Sequence, residues 1–408
     1  MPLNDQQIQV LGRDAVQRAA AGDFATAEAM FARIVDERPN AGQALHFLGQ
    51  VRLKLGRFAE AREPLERAAK FLPREPAAQT NLAGCLIQLG QHDAALEALG
   101  RAAHLRPSDP TIPHNTGRTL EALGRLDEAE RAYDLALSLD NRLLPSLTAR
   151  ASLLAARGEW AGALADLDTA LVSRPNDPQL RLRRGDLLLR QGDWWRGLAD
   201  HEARLEIAGD RYAPALPRWQ GEPLADPLLL YPEQTDIAGD EARRDTIMLA
   251  RGLDPAMTFA VQCAADLAPH LAAPTVLRGD SVAGFAAAAP LRSLPHLLGW
   301  TLDALPPPAA MKAQQTSTKI GWYTRREPPA GLDIEWDPAE AGACRLVVGD
   351  DVWPVHLAAS LGIKTLILLP RIADWLWGPR LGTTVWYPSA ELLADDDGEG
   401  LAARLAGC

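Results

Sequence analysis

The chain has 408 residues, of which 47% are hydrophobic and 23% charged, and its formal net charge is −11. This composition is typical of folded globular proteins and predicts two or three domains. The acidic balance argues against a nucleic-acid partner, because phosphate-binding surfaces carry an excess of basic residues. Its apolar runs fall short of the roughly 20 residues that cross a bilayer, which predicts no membrane span.

The cysteines and the first residues predict a cytoplasmic protein. Cys85, Cys263, Cys344 and Cys408 are scattered and form no Cys-x-x-Cys pair, so we expect reduced thiols and no metal site. The N-terminal segment lacks a basic region followed by an apolar core, which predicts no secretory signal.

A 34-residue repeat organises the first half of the chain. Glycines recur at this interval, and a small residue stands five positions after each of them. The glycines are Gly22, Gly56, Gly90, Gly124, Gly158 and Gly192, and the small residues are Ala27, Ala61, Ala95, Ala129, Ala163 and Gly197. A unit of this length holds two helices and two short turns, so we predict six stacked helical hairpins.

The turn residues fit this interpretation. Glycine adopts the left-handed backbone region without steric cost, so we expect each repeat glycine to end the first helix of its hairpin. Proline cannot extend a helix, and Pro39, Pro73, Pro107 and Pro175 recur where the second helix should end, with Asn141 in the one remaining place.

Residues 8 to about 207 resemble the tetratricopeptide repeat (TPR) family. The resemblance implies a right-handed superhelix whose concave face is lined by the first helix of each hairpin. In that family the concave face holds an extended or helical segment of another protein, so the resemblance also implies a protein or peptide partner. Asn81 and Asn115 occupy equivalent inner positions, and such pairs resemble the asparagine ladder of O-linked N-acetylglucosamine transferases. His46, His114 and Arg118 are further candidates for this groove. The alternative for all five residues is a solvated polar surface without a ligand.

The periodic pattern ends after Leu205. Residues 213–227 contain four prolines and are typical of a linker. Beyond them, strands are predicted at 227–231, 257–261, 319–323, 345–348 and 364–369, with helices at 240–253, 263–271 and 352–361. This alternation predicts parallel sheets covered on both faces. With a proline-rich break at 306–308, we predict an all-α superhelix (1–207), a linker (208–226) and two small Rossmann-like α/β lobes (227–310 and 311–408).

The second half resembles GT-B glycosyltransferase domains, which follow TPRs in bacterial proteins related to heptosyltransferases and O-linked N-acetylglucosamine transferases. The matching motifs are His201-Glu202, Trp219-Gln220-Gly221-Glu222-Pro223-Leu224, Glu233-Gln234, Asp351 followed by His356-Leu357-Ala358, Leu368-Leu369-Pro370, Asp374-Trp375-Leu376-Trp377 and Trp386-Tyr387-Pro388. The resemblance implies that Asp350, Asp351, Trp375, Trp386 and Tyr387 would bind a nucleotide-sugar donor, and that Glu233 and His356 would be catalytic. The alternatives are core packing for His356 and the aromatic residues, and a helix cap for Glu233.

Several departures from the family pattern argue against glycosyltransferase activity. Val352 replaces the threonine that would bind a donor phosphate, and Asp350 and Asp351 would repel a diphosphate. Only about 30 residues separate the strand at Ile320 from this turn, where the family has room for two α/β units. We therefore predict a TPR scaffold fused to a reduced, inactive glycosyltransferase-like domain without a cofactor. The alternative is a nucleotide-sugar-dependent transferase that modifies a protein held by the repeats.

Overall fold

The computed structural model describes residues 3–208, 213–234, 239–250, 257–271, 273–301, 317, 319–325, 327–328, 333–370, 382–384, 386–387 and 389–405. The chain divides into two compact units, Met1–Ser173 and Arg174–Cys408.

In its described residues, 3–173, the first unit consists of five helical hairpins. Its helices are α1 (Asp5–Ala20), α2 (Phe24–Glu37), α3 (Gly42–Lys54), α4 (Phe58–Phe71), α5 (Pro76–Gln88), α6 (His92–Leu105), α7 (Thr111–Ala122), α8 (Leu126–Leu139), α9 (Leu144–Ala156) and α10 (Trp160–Ser173). We call α1, α3, α5, α7 and α9 the A helices, and α2, α4, α6, α8 and α10 the B helices. The predicted hairpins are thereby confirmed in this unit.

The turns between the helices form as the sequence predicts. Each repeat glycine has a positive φ, for example 83° at Gly22 and 71° at Gly90. Each B helix ends two residues before its proline or asparagine, as α2 does before Pro39 and α8 before Asn141.

Small residues bring the two helices of a hairpin together. A Cβ atom at Gly49 would lie 2.4 Å from Leu65 Cγ, and one at Gly117 would lie 2.6 Å from Tyr133 Cε1. On the facing B helices, the alanines five residues after each repeat glycine, such as Ala61, are fully buried. The close approach therefore depends on the absence of side-chain volume at these positions.

The second unit combines the sixth repeat with two sheets. Its helices are α11 (Pro178–Gln191), α12 (Trp194–His201), α13 (Arg204–Ala208), α14 (Asp240–Leu249), α15 (Leu294–Leu297), α16 (Trp353–Ser360) and α17 (Gly398–Leu405). Its strands are β1 (Leu228–Tyr231), β2 (Phe259–Gln262), β3 (Thr275–Val276), β4 (Ala287–Pro290), β5 (Ile320–Tyr323), β6 (Ile334–Glu335), β7 (Leu346–Gly349), β8 (Lys364–Leu369), β9 (Gly382–Thr383) and β10 (Ala390–Ala394).

Parallel pairing dominates both sheets. The first sheet has the order β3-β2-β1-β4, and all of its described pairs are parallel. The second has the order β6-β5-β7-β8-β10-β9, and β9 alone pairs antiparallel in the described residues. The predicted parallel sheets are confirmed, whereas the assignment to the GT-B family stays a prediction.

One hydrophobic cluster joins the sixth repeat to both sheets. It runs from Leu189 and Trp194 through Leu230 of β1 to Ile367 of β8 and Trp386. Helix α14 also packs against α16. The sixth repeat therefore belongs to the core of the α/β unit as well as to the repeat pattern of the sequence.

The predicted elements need corrections in two places. The helix predicted at 263–271 is wrong: only Ala268–His270 is helical, as a single 3₁₀ turn, and Pro269 within it supplies no backbone N–H for a longer helix. Five strands were not predicted. Strands β4 and β10 have short alanine- and leucine-containing runs that lack the β-branched residues favouring strands, and β3, β6 and β9 are only two residues long. The predicted break at 306–308 lies outside the described residues.

Candidate functional site

The A helices form one candidate binding surface. Helix α1 contacts α3, α3 contacts α5, and α7 contacts α9. Between α1 and α3 lies a groove with a volume of about 710 Å³. Its floor contains Phe31 and Ile34 of α2, and its sides contain Arg13 of α1 and Phe47 of α3. Arg13 and Phe47 occupy the same repeat position as Asn81 and Asn115, 34 residues apart in each step.

Two of the predicted groove residues contact each other. Asn81 Nδ2 lies 2.7 Å from His46 Nε2, and the His46 ring also stacks on Phe47 with 5.7 Å between ring centroids. Burial lowers the pKa of His46, so its ring is neutral near pH 7 and can accept the amide N–H. His46 is 7% exposed, so it positions Asn81 rather than offering its own ring to a ligand.

The other three predicted groove residues lie on α7. His114 Nδ1 is 3.0 Å from the Ser146 hydroxyl on α9, and burial lowers the pKa of His114 as well. Asn115 is half-buried and Arg118 is exposed. His46 and His114 thus link neighbouring A helices, while Asn115 and Arg118 are open to a partner.

The second unit holds Glu233 in an ion-pair cluster at the end of β1. Arg204 donates two hydrogen bonds to the Glu233 carboxylate, of 2.9 and 2.6 Å, and another of 2.6 Å to Glu202. Arg204 also donates to the hydroxyl of Ser293, which follows β4, at 2.8 Å. Because the strand order reverses between β1 and β4, this is the edge at which open α/β sheets bind ligands. Here the position is filled by the chain's own side chains.

A second ion-pair cluster surrounds Asp351, just beyond the end of β7. Arg244 of α14 donates to Asp351 Oδ2 at 2.8 Å, and His356 Nε2 lies 2.8 Å from Asp351 Oδ1. Burial is the main cause that lowers the pKa of His356, so its neutral ring donates from Nε2. His356 Nδ1 then accepts from the Tyr387 hydroxyl at 3.3 Å. The structure therefore brings together three of the predicted site residues, Asp351, His356 and Tyr387.

The remaining predicted donor-site residues are placed differently. Asp350 is half-buried, and its backbone N–H donates to Tyr323 O at 3.1 Å. Trp386 is fully buried and packs against Trp194 and Trp300, with ring centroids 5.8 and 6.3 Å away. This is core packing, so Trp386 does not present a ring face to a sugar. Trp375 lies outside the described residues.

Asp245 connects the two clusters and was not predicted. Its carboxylate accepts a 2.6 Å hydrogen bond from Arg292, another of 2.6 Å from Gln234, and a longer one of 3.4 Å from Arg244. Asp245 is 1% exposed. The adjacent Arg244-Asp245 pair on an otherwise amphipathic helix was the available signal in the sequence, but its partners lie 47 and 107 residues away.

The charges of these clusters largely cancel. The guanidinium groups of Arg204, Arg218, Arg244 and Arg292 each form an ion pair with a carboxylate. These four positive charges are therefore already used within the chain, and Asp351 adds a negative charge beyond the end of β7. Such an arrangement links the elements of the unit and leaves little net positive charge to attract a polyanion.

Two further classes of site receive no support in the described ranges. There, no cluster of His, Cys, Asp or Glu has an arrangement suited to a metal ion. No helix of the described chain combines the length and apolarity that crossing a bilayer requires.

Family models match the helical half of the chain. The model described as anaphase-promoting complex, cyclosome, subunit 3 matches residues 20–102. The tetratricopeptide repeat model matches residues 86–145 and 148–213. No curated protein matches the chain.

Solved TPR structures are similar to between 42% and 50% of the chain. A thermophilic TPR protein of Thermus thermophilus, TTC0263, is 28% identical, with 45% of this chain and 99% of that chain covered and a TM-score of 0.37. PilF of Pseudomonas aeruginosa is 16% identical, with 50% and 93% covered and a TM-score of 0.45. YrrB, described as a TPR protein with an unusual peptide-binding site, is 23% identical, with 42% and 87% covered and a TM-score of 0.37.

The repeat pattern, the helical hairpins and the family models agree. The N-terminal helical region is built of tetratricopeptide repeats, and it supports a role for the chain as a protein-interaction scaffold.

Proposed function

We propose that the chain is a binding protein whose A helices hold a segment of another protein, and that its second unit is a glycosyltransferase-like module without transferase activity. The observation that carries this proposal is the pairing of Asp351 with Arg244 and His356. These three side chains satisfy one another at the place where a sugar donor would be expected.

This pairing matters because Asp351 lies where α/β sheets usually bind their ligands. In the second sheet the chain passes from β5 to the edge strand β6 and then returns to β7 on the other side. Ligands of α/β sheets bind at the carboxyl ends of the strands where the order reverses. Asp351 lies two residues beyond β7, at that edge.

A donor diphosphate would meet three obstacles at this edge. It would face the carboxylate of Asp351, it would compete with that carboxylate for Arg244, and it would find no hydroxyl at Val352. A donor that displaced Asp351 from Arg244 would exchange one ion pair for another and leave the carboxylate beside its own phosphates, so little net attraction would remain.

The catalytic role proposed for Glu233 meets a similar obstacle. A general base must accept a proton from the acceptor hydroxyl, within hydrogen-bond distance. Both carboxylate oxygens of Glu233 already accept hydrogen bonds from Arg204, and the Glu233 side chain is 16% exposed. We propose instead that Glu233 fastens the first sheet to helix α13.

The second candidate is an active nucleotide-sugar-dependent transferase. One observation favours it: Glu233 and Asp351 each follow the carboxyl end of a parallel strand at a reversal of strand order. This is the usual location of ligand sites in such sheets.

Titration calorimetry of the full chain with UDP-, GDP- and ADP-sugars separates the two candidates. The proposal expects no binding at donor concentrations up to the millimolar range. Micromolar binding of any donor that is weakened by Asp351→Ala, and unchanged by Asp395→Ala on the exposed C-terminal turn, would support the transferase and overturn the proposal.

A further inference from the structure

The partner's chemistry can be inferred from how charge is distributed between the two layers of helices. The five A helices contain three Asp or Glu residues between them, whereas the five B helices contain fourteen. Each layer contains six Lys or Arg residues. The A layer therefore has a net charge of +3 and the B layer a net charge of −8.

The repeat positions that line the groove on α1, and their equivalents on the other A helices, contain no acidic residue. Gln9, Gly12, Arg13 and Val16 line the groove on α1, and their equivalents on the other A helices follow at intervals of 34 residues. These equivalents are Gln43, His46, Phe47 and Gln50; Ala77, Thr80, Asn81 and Gly84; Thr111, His114, Asn115 and Arg118; and Pro145, Thr148, Ala149 and Ser152. None of these twenty residues is Asp or Glu, although acidic residues outnumber basic ones by 53 to 42 in the chain.

The basic residues of the A helices are not equally available. Arg52 pairs with Glu28, and Arg150 pairs with Asp166, so these two guanidinium groups fasten A helices to B helices. Arg13 lines the groove, and Arg118 is exposed at the repeat position equivalent to Val16. Within the described ranges neither of them forms an ion pair, and Arg13 Nε makes a weak hydrogen bond of 3.4 Å to Gln9 O on its own helix.

Apolar surface lies beside Arg13. Phe31 and Phe47 stack with 5.3 Å between ring centroids, and both contribute to the groove between α1 and α3. Val16, which is 41% exposed, lies at its rim. A large apolar side chain could enter this groove while a neighbouring carboxylate reaches Arg13.

We propose that the A helices bind an acidic peptide that inserts an apolar side chain between α1 and α3 and places carboxylates against Arg13 and Arg118. This inference rests on the proposed binding function and specifies the chemical class of its partner. Neighbouring helices pack about 8–10 Å apart, so the three repeats between the two arginines span about 24–30 Å. An extended peptide covers about 3.3 Å per residue, and the bound segment is therefore about seven to nine residues long.

Selection from a random 12-residue peptide library displayed on phage, against the full chain, tests this proposal. We expect the enriched peptides to be rich in Asp and Glu and to contain at least one large apolar residue. For a synthetic peptide from the enriched set, we expect Arg13→Glu to raise the Kd at least tenfold, as measured by fluorescence anisotropy. The matched control is Arg131→Glu on the B helix α8, which should leave the Kd unchanged.

The possible outcomes separate this inference from the proposed function. Enriched peptides that are basic or neutral, or that bind Arg13→Glu as well as the native chain, would overturn the acidic partner while leaving a peptide-binding groove in place. A library from which the chain enriches no peptide would count against the proposed function itself. If sedimentation shows self-association that Arg13→Glu abolishes, a second copy of the chain occupies the groove and the inference is wrong.

Discussion

The two units use their polar side chains in different ways. In the repeat unit, several polar groups of the A helices face the groove, and those that are paired bond to the neighbouring helix, as His46 does with Asn81. In the second unit, buried arginines and carboxylates pair across the fold, and Arg244 and Asp351 are 107 residues apart. The comparison indicates that one surface is available for binding, while polar groups of similar chemistry elsewhere hold the chain together.

The largest loss of stability is expected when a buried ion pair of the second unit is broken. Arg204→Met removes the bonds that Arg204 makes to both oxygens of Glu233, while Glu202 keeps its bonds to Arg218 and Ser293. Arg204 is only 10% exposed, so leaving the Glu233 carboxylate unpaired should lower the free energy of unfolding by about 3–5 kcal/mol. Urea denaturation of the variant measures this loss. The exposed Arg131→Met is the control and should change stability by less than about 0.5 kcal/mol; an equally small change for Arg204→Met would contradict the account.

The repeat unit should be sensitive to volume rather than to charge. Gly49→Ala places a Cβ 2.4 Å from Leu65 Cγ, so we expect a loss of about 1–3 kcal/mol despite the better helix propensity of alanine. Gly84 lies within the A helix of the next repeat, and a Cβ there meets no atom within 4 Å. Gly84→Ala should therefore stabilise the chain by up to about 1 kcal/mol. Equal effects of the two substitutions in thermal unfolding would show that the close approach is unimportant.

A smaller loss is expected at the turns. Gly90 has a φ of 71°, and an L-residue in this region costs about 1–2 kcal/mol. Gly90→Ala should lower stability by that amount even though the added Cβ would meet no atom within 4 Å. Gly100→Ala, in the interior of α6 with similar open space, is the control and should not destabilise the chain.

The smallest effect is expected in the pH dependence of stability. Burial depresses the pKa of His356 below its ordinary value of 6.5, although the Asp351 carboxylate opposes this shift and Arg244 reinforces it. Below about pH 6.5 the unfolded chain therefore binds more protons at this histidine than the folded chain does. The free energy of unfolding should therefore decrease as the pH falls below about 6.5. Denaturation at pH 7.5 and 5.5 should show this loss, and His356→Gln should reduce it. An unchanged pH dependence in the variant would show that His356 does not contribute.

The repeat unit could be predicted almost completely from the sequence, and the α/β unit only in part. The positive φ of Gly22 and the burial of Ala61 follow from local rules that recur every 34 residues. The strands β1 and β8 carry continuous apolar runs and were also predicted. Strand β4, by contrast, is Ala-Ala-Ala-Pro, and its pairing with β1 determines its conformation more than its own composition does.

The sequence likewise predicts the candidate groove better than it predicts the ion-pair clusters of the second unit. The positions of Asn115 and Arg118 followed from the repeat register, whereas the partners of Asp351 and Glu233 did not follow from any local pattern. Arg204 and Arg244 are charged residues on helices, and in sequence they resemble the solvent-exposed arginines of other helices. Only the tertiary packing places them against carboxylates 29 and 107 residues away.

Photo-crosslinking within the full chain tests the central claim most directly. The photoreactive residue benzoylphenylalanine would replace Asn115 on the A helix α7 in one variant and the exposed Ser138 on the B helix α8 in another. Expressed in the native host, the first variant should form a covalent adduct with a partner protein, and mass spectrometry should locate the link in an acidic segment of that partner. An adduct formed only from position 138, or with equal yield from both positions, would contradict binding by the A helices.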